Sequence, residues 1–188
     1  ASGAMYCYAD EFMSPYTAAA PWYNQRDAVT AVVINTGVTK IGEGAFRDCS
    51  NMASVTIPNS VTSMGEYAFY NCIGLTSITI PHSIKSIGYF VFSNCSSLTS
   101  VTIPDLAAWC TIAFSHEDSN PLRGTSTLYV DGELVTDLVI PDGVNSIGSY
   151  AFSNCKILTS VTIPNSVTSI GSCAFENCRG LTSLAIGD

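Results

Sequence analysis

The chain has 188 residues, of which 47% are hydrophobic and only 12% charged, and it carries a formal charge of −8 at pH 7. Fifteen acids against seven Lys and Arg, the latter scattered singly, exclude a nucleic-acid partner, because neutralising a run of phosphates takes clustered cations. No apolar run reaches the roughly 18 residues of a membrane-crossing helix, and Ala1 opens neither a basic segment nor an apolar leader, so the sequence reads as a mature or excised soluble piece.

Residues 1–33 do not repeat. Their aromatic residues Tyr6, Tyr8, Phe12, Tyr16, Trp22 and Tyr23 are read as a partial N-terminal cap. From Ile34 onward a rhythm sets in: Ile34, Ile57, Ile80 and Ile103 fall 23 residues apart, and so do Ile140, Ile163 and Ile186. A fixed period of this size is the mark of a solenoid. Within each unit a short L-x-x-V-x-I strand recurs, as in Leu98, Val101 and Ile103 or Leu158, Val161 and Ile163. Proline at 58, 81, 104, 141 and 164 closes it, since proline has no amide to give to a ladder.

Other slots repeat as strictly. Gly42, Gly65, Gly88, Gly148 and Gly171 imply either a positive φ or a close backbone approach. The stretch from each glycine to the next cysteine is long enough for one helical or 3-10 turn and too short for a stable helix. Phe46, Phe69, Phe92, Phe152 and Phe175 are expected to stack as a spine. Cys49, Cys72, Cys95, Cys155 and Cys178 share one slot, which favours a buried ladder of small thiols, although adjacent turns about 4.8 Å apart are within disulfide reach. Cys7, Cys110 and Cys173 lie outside that ladder and are the better candidates for bridges. Asn71, Asn94, Asn154 and Asn177 are expected to bond to backbone between turns, which argues against glycosylation at Asn94-Cys95-Ser96.

Side chains alternate along a strand, so Ser54, Ser77, Ser100, Ser160 and Ser183 form an outward row beside Thr56, Thr79, Thr102 and Thr162. Threonine rows stabilise sheets. They also offer a flat hydroxyl platform for a protein or glycan, and Ser54, Thr56, Ser77, Thr79, Ser100, Thr102, Ser160, Thr162, Trp109 and Tyr129 are the candidate binding residues.

Residues 34–102 therefore form regular turns, and residues 103–139 an irregular repeat, because Ile103 and Ile140 are 37 apart. In that repeat Leu128–Val135 reads as a β-hairpin around Asp131-Gly132. The acids Asp105, Glu117, Asp118, Asp131, Glu133, Asp137 and Asp142 gather there, against Arg123 alone, with no calcium-loop motif, so solvated loop charge is expected and no metal site. Residues 140–188 return to regular turns without a C-terminal cap. Unsealed ends point to head-to-tail self-association, with Cys7, Trp22 and Cys173 as candidate intermolecular contacts. No nucleophile elbow, metalloprotease helix, phosphate loop or dinucleotide fingerprint occurs. His82 takes the turn slot of Asn59 and Asn165, so neither catalysis nor a cofactor is expected.

The run Ile57-Pro58-Asn59-Ser60-Val61-Thr62-Ser63-Met64-Gly65, followed by Ala68-Phe69-Tyr70-Asn71-Cys72 and Leu75-Thr76-Ser77-Ile78, resembles the BspA-type leucine-rich repeats of secreted and surface proteins. The resemblance implies a right-handed β/α-type solenoid of about six turns with short parallel strands. It implies a non-enzymatic extracellular adhesion or protein-interaction module, or alternatively a structural subunit stacking end to end into an extracellular filament.

Overall fold

In the computed structural model, which describes residues 4–7 and 22–187, about seven turns stack on one another with the 23-residue period. The aromatic residues expected as a lid between positions 8 and 21 lie outside the described residues. Each regular turn has three sides: a strand of three or four residues, a two-residue strand, and a run of tight turns.

The longer strands stack in three parallel groups. Ala4–Cys7, Ala31–Ile34 and Ser54–Thr56 form the first, and Ser77–Thr79, Ser100–Ile103 and Thr127–Val130 the second. Asp137–Val139, Ser160–Ile163 and Ser183–Ile186 form the third. Register pairs like with like: Ser77 faces Ser100, Ile78 faces Val101 and Thr79 faces Thr102. A slip of one residue would put hydroxyls into the core and valines into water, so the alternation itself fixes the register. On the second side Lys40–Ile41, Ser63–Met64, Ser86–Ile87 and Ala113–Phe114 stack likewise, as do Ser146–Ile147 and Ser169–Ile170.

The third side is where structure and expectation part. No helical turn forms between glycine and cysteine, because two residues per turn adopt a left-handed backbone, which cannot propagate a right-handed helix. One is the residue before cysteine: Asp48, Asn71, Asn94, Asn154 and Asn177 all have φ between 57° and 66°. That conformation is what the asparagine slot is for, since Asn and Asp tolerate it best. Their side chains bond sideways rather than to backbone, Asn71 to the Asp48 carboxylate at 2.9 Å and Asn94 to the Tyr70 hydroxyl at 3.2 Å. Alternate amides on this side donate to the next turn, Gly44 to Glu66 O, Phe46 to Ala68 O and Asp48 to Tyr70 O at 2.8–2.9 Å, so the irregular backbone is still satisfied.

The repeat glycine serves close approach, not positive φ. A Cβ on Gly65 would lie 2.6 Å from Glu43 N and 2.9 Å from Gly42 C.

Inside, Phe46, Phe69 and Phe92 stack with centroids 5.4 and 5.7 Å apart, and Phe152 with Phe175 at 5.3 Å. The spine is thus two columns, each headed by a tryptophan. Trp22 stacks on Phe46 at 5.8 Å and donates its indole N–H to Ala45 O at 3.0 Å. Trp109 donates to Ala151 O, the corresponding carbonyl of the second column, at 2.9 Å.

The irregular turn explains that second header. Asp105 caps the helix Leu106–Cys110 by accepting from Ala108 N at 3.0 Å, and the helix drives Trp109 into the core against Phe114. Asn120, buried, donates to Tyr150 O and accepts from Leu122 N, holding a stretch that has no strand partner. The hairpin forms as expected: Tyr129 faces Leu134 and Val130 faces Glu133, with φ of 51° at Asp131 and 87° at Gly132. Its antiparallel strand Glu133–Leu134 ends one parallel group, and the next begins at Asp137.

Candidate functional site

The hydroxyl row is placed as its alternation requires. Ser54, Thr56, Ser77, Thr79 and Thr162 are exposed, and Ser100, Thr102 and Ser160 are half-buried. Asp137 replaces serine at one rung. It accepts hydrogen bonds from Ser160 Oγ at 2.5 Å, Thr159 Oγ1 at 3.0 Å and Thr136 Oγ1 at 3.1 Å, with the Ser160 bond the foremost reason its carboxyl is held below the usual carboxylate range. Tyr129, half-buried, lies on the same sheet opposite Thr102. Trp109 does not belong to this surface: it is 1% exposed and serves the core, so the reading of it as a binding residue is corrected. Its indole meets the Phe114 ring edge-on and donates to Ala151 O, the carbonyl just before Phe152.

Of the candidate intermolecular contacts, Cys173 is exposed, and Trp22 is partly buried on Phe46. Cys7 ends the strand Ala4–Cys7, and its side chain lies outside the described residues.

The cysteine ladder carries thiols. Cys72, Cys95, Cys110, Cys155, Cys173 and Cys178 are unbridged, which removes Cys110 and Cys173 as partners for an internal bridge. Three of the ladder thiols donate to a carbonyl of the preceding turn: Cys72 to Phe46 O at 3.1 Å, Cys95 to Phe69 O at 3.2 Å and Cys178 to Phe152 O at 3.1 Å. Donation requires the proton, and burial disfavours the thiolate. Burial accordingly pushes Cys95 and Cys110 up to about 12 from an ordinary 9.0, and Cys72 and Cys155 higher still. The folded state therefore holds these protons more tightly than the unfolded chain. Stability is fully present below pH 9 and falls above it, by about 1.4 kcal/mol per pH unit for each such thiol. Urea midpoints at pH 8, 9 and 10 check the slope. In the same samples iodoacetamide will modify exposed Cys173 well before Cys72, Cys95 or Cys155.

A second surface was not foreseen. The left-handed slot two residues after the repeat glycine holds Gly44, Tyr67, Phe90, Tyr150 and Cys173, with φ of 55–63°. The rings of Tyr67 and Phe90 stack at 5.3 Å, Phe90 meets His116 at 5.5 Å, and His116 meets Tyr150 at 6.4 Å. Tyr70 and Tyr89 broaden the strip, and Arg47 lies with its guanidinium carbon 5.4 Å from the Tyr67 centroid and 5.2 Å from that of Tyr70. The recurrence of Tyr, Phe and Tyr after the glycine is visible in the aligned repeats. That His116 fills the missing rung is not, because it comes from the turn that breaks the period.

His116, Glu117 and Asp118 bring ligand-type atoms within 4.8 Å of one another. The geometry already accounts for them. Arg123 pairs with Asp118, and His116 Nδ1 accepts from Asp118 N to cap the short 3-10 turn Glu117–Ser119, whose Ser119 hydroxyl accepts from His116 N. Glu117 and Asp118 are half-buried parts of a built turn, which corrects the expectation of solvated loop charge for these two alone, since Asp105, Asp131, Glu133, Asp137 and Asp142 are exposed.

Residues 21–120 and 125–188 match the family model described as BspA type leucine rich repeat region, in six copies. No curated protein matches the chain. Among solved structures it is similar to the T. pallidum leucine rich repeat protein TpLRR, with 26% identity, a TM-score of 0.53, and coverage of 83% of this chain and 66% of that one. It is similar in fold to the pneumococcal vaccine antigen PcpA, with 19% identity, a TM-score of 0.50, and coverage of 85% and 40%. The chain thus spans less than two thirds of either protein's length.

Proposed function

This chain belongs to the BspA-type leucine-rich-repeat family, and from that premise we propose that it works outside the cell as a non-enzymatic module that binds another protein or a glycan, in adhesion or a related contact. Among the described residues no helix is long and apolar enough to cross a membrane. The observation that carries the reading is the outward Ser/Thr face. It is a rigid, nearly uncharged surface whose rungs are fixed by the parallel ladders, so a partner meets it without an ordering cost. Substituting Thr79→Lys together with Thr102→Lys puts two like charges on adjacent rungs without touching the core. The double variant is expected to lose at least tenfold in affinity for an immobilised panel of extracellular-matrix proteins and polysaccharides, measured by surface plasmon resonance. Unchanged binding to every member that the parent chain binds would exclude this face.

The second reading is end-to-end stacking of copies into a filament, through the same kind of contact by which one turn already buries Ile147, Val161 and Ile163 against its neighbours. Sedimentation over a wide concentration range, with negative-stain microscopy of the most concentrated sample, separates the two: a monomer throughout leaves only the first reading.

A further inference from the structure

We propose that the aromatic strip Tyr67, Phe90, His116 and Tyr150, with Tyr70 and Tyr89 beside it, recognises arginine side chains on an extended segment of a partner protein. This rests on the interaction-module reading and assigns it a second surface.

The first argument is local strain without a structural return. A bulky side chain in the left-handed region costs about 1–2 kcal/mol, and Tyr67, Phe90 and Tyr150 all sit there at φ 55°, 58° and 63°. The turn does not need them, since Gly44 and Cys173 hold the same slot with the same backbone. Tyr67 and Phe90 are not part of the core either, whose buried column is made by Phe46, Phe69, Phe92 and Phe152, while Tyr150 alone of the three packs partly against it. Where local rules are broken and packing gains little, the surface is the place to look for the reason. The strip is also kept continuous across the irregular turn, which supplies His116 as its missing ring.

The second argument names the occupant. Arg47 already shows what fits: its guanidinium lies against Tyr67 and Tyr70 at 5.4 and 5.2 Å and is held by Asp48, with Nε 3.5 Å from Oδ2. Ring contact plus a carboxylate is the combination that selects a planar guanidinium over an ammonium. In later turns the slot of Arg47 passes to Ser93 and Ser153, so beside His116 and Tyr150 this chain provides no arginine of its own in that slot. Tyr89, 44% exposed, and half-buried Phe90 and Tyr150 remain open to solvent there. Glu66 and Glu117 are the chain neighbours of Tyr67 and His116, and Glu43 lies near Glu66, in a chain of net charge −8. The surroundings favour a cationic partner over an anionic one.

The test compares fluorescein-labelled octaarginine with octalysine, equal in charge, by fluorescence anisotropy at about 0.15 M salt, using the whole chain and its Tyr89→Ala and Phe90→Gly variants. Phe90→Gly keeps the backbone of its slot, as Gly44 does, and Tyr89→Ala removes an exposed ring, so at least one variant folds, which circular dichroism verifies. The arginine peptide is expected to bind about tenfold tighter than the lysine peptide, a difference of the size cation–π contacts supply, and each variant to erase most of that preference while His82→Asn, in an exposed turn slot that other repeats fill with Asn, leaves it intact. Equal binding of the two peptides, binding of neither, or a preference that survives both variants overturns the proposal. None of those outcomes touches the strand-face reading, which the two-lysine variant tests separately.

Discussion

Replacing Phe69 by alanine is expected to destabilise the chain by about 4 kcal/mol, the upper range for emptying a buried aromatic site. Phe69 has no exposure and is stacked on both faces, 5.4 Å from Phe46 and 5.7 Å from Phe92. Collapse around the void is blocked, because the turns above and below are pinned on all three sides by backbone bonds, among them Phe46 N to Ala68 O and Phe69 N to Val91 O. The same carbonyl-rich neighbourhood includes Phe69 O, which accepts the Cys95 thiol, so movement there leaves a half-buried thiol without its acceptor. Urea denaturation followed by far-ultraviolet circular dichroism gives the difference directly. A loss under 1 kcal/mol would mean that the column is not the continuous core described above.

Gly65→Ala is expected to cost about 3 kcal/mol, through overpacking rather than a void. The added methyl meets backbone of the neighbouring turn at 2.6–3.0 Å, at Glu43 N, Gly42 C and Glu43 Cα, and no rotamer change relieves a clash with main chain. The turns must separate, which stretches the bond from Gly65 N to Ile41 O, now 2.8 Å. Gly42 is the internal control. It occupies the same slot of the preceding turn, a Cβ there meets none of the described residues within 4 Å, and its φ is not positive. Gly42→Ala should therefore be nearly neutral. Equal effects at the two sites would show that glycine is retained for backbone freedom and not for approach.

Much of this architecture is written in the chain because a solenoid repeats its instructions. The spacing of Ile57, Ile80 and Ile103 sets the period, the alternation in Ser77-Ile78-Thr79 sets the inward face, and the recurrence of Phe69 and Cys72 sets two columns of the core. Each is a local pattern confirmed by its own copies. What the sequence hid is long-range or conformational. Trp109 looked like an exposed anchor because nothing nearby says that a phenylalanine column ends within its reach, at Phe152. The asparagines were assigned to side-chain bonding when their backbone angle was the point. Tyr67 and Phe90 gave no conformational warning, because aromatic residues are poor markers of positive φ. His116 joined their strip only through a turn whose length departs from the period. The hydroxyl face was legible as geometry, since alternation dictates it, while nothing in serine and threonine alone names what they meet.

The paired tryptophan headers give the molecule a built-in optical readout. The chain has two tryptophans, and each seats its indole on the alanine carbonyl at the head of a different phenylalanine column. Stacked repeats touch only their neighbours, so half-buried Trp22 emits as a witness to the early turns, and buried Trp109 to the later ones. Loosening of either section alone will redden one emission band and leave the other in place, so the protein reports on which part of itself gives way first.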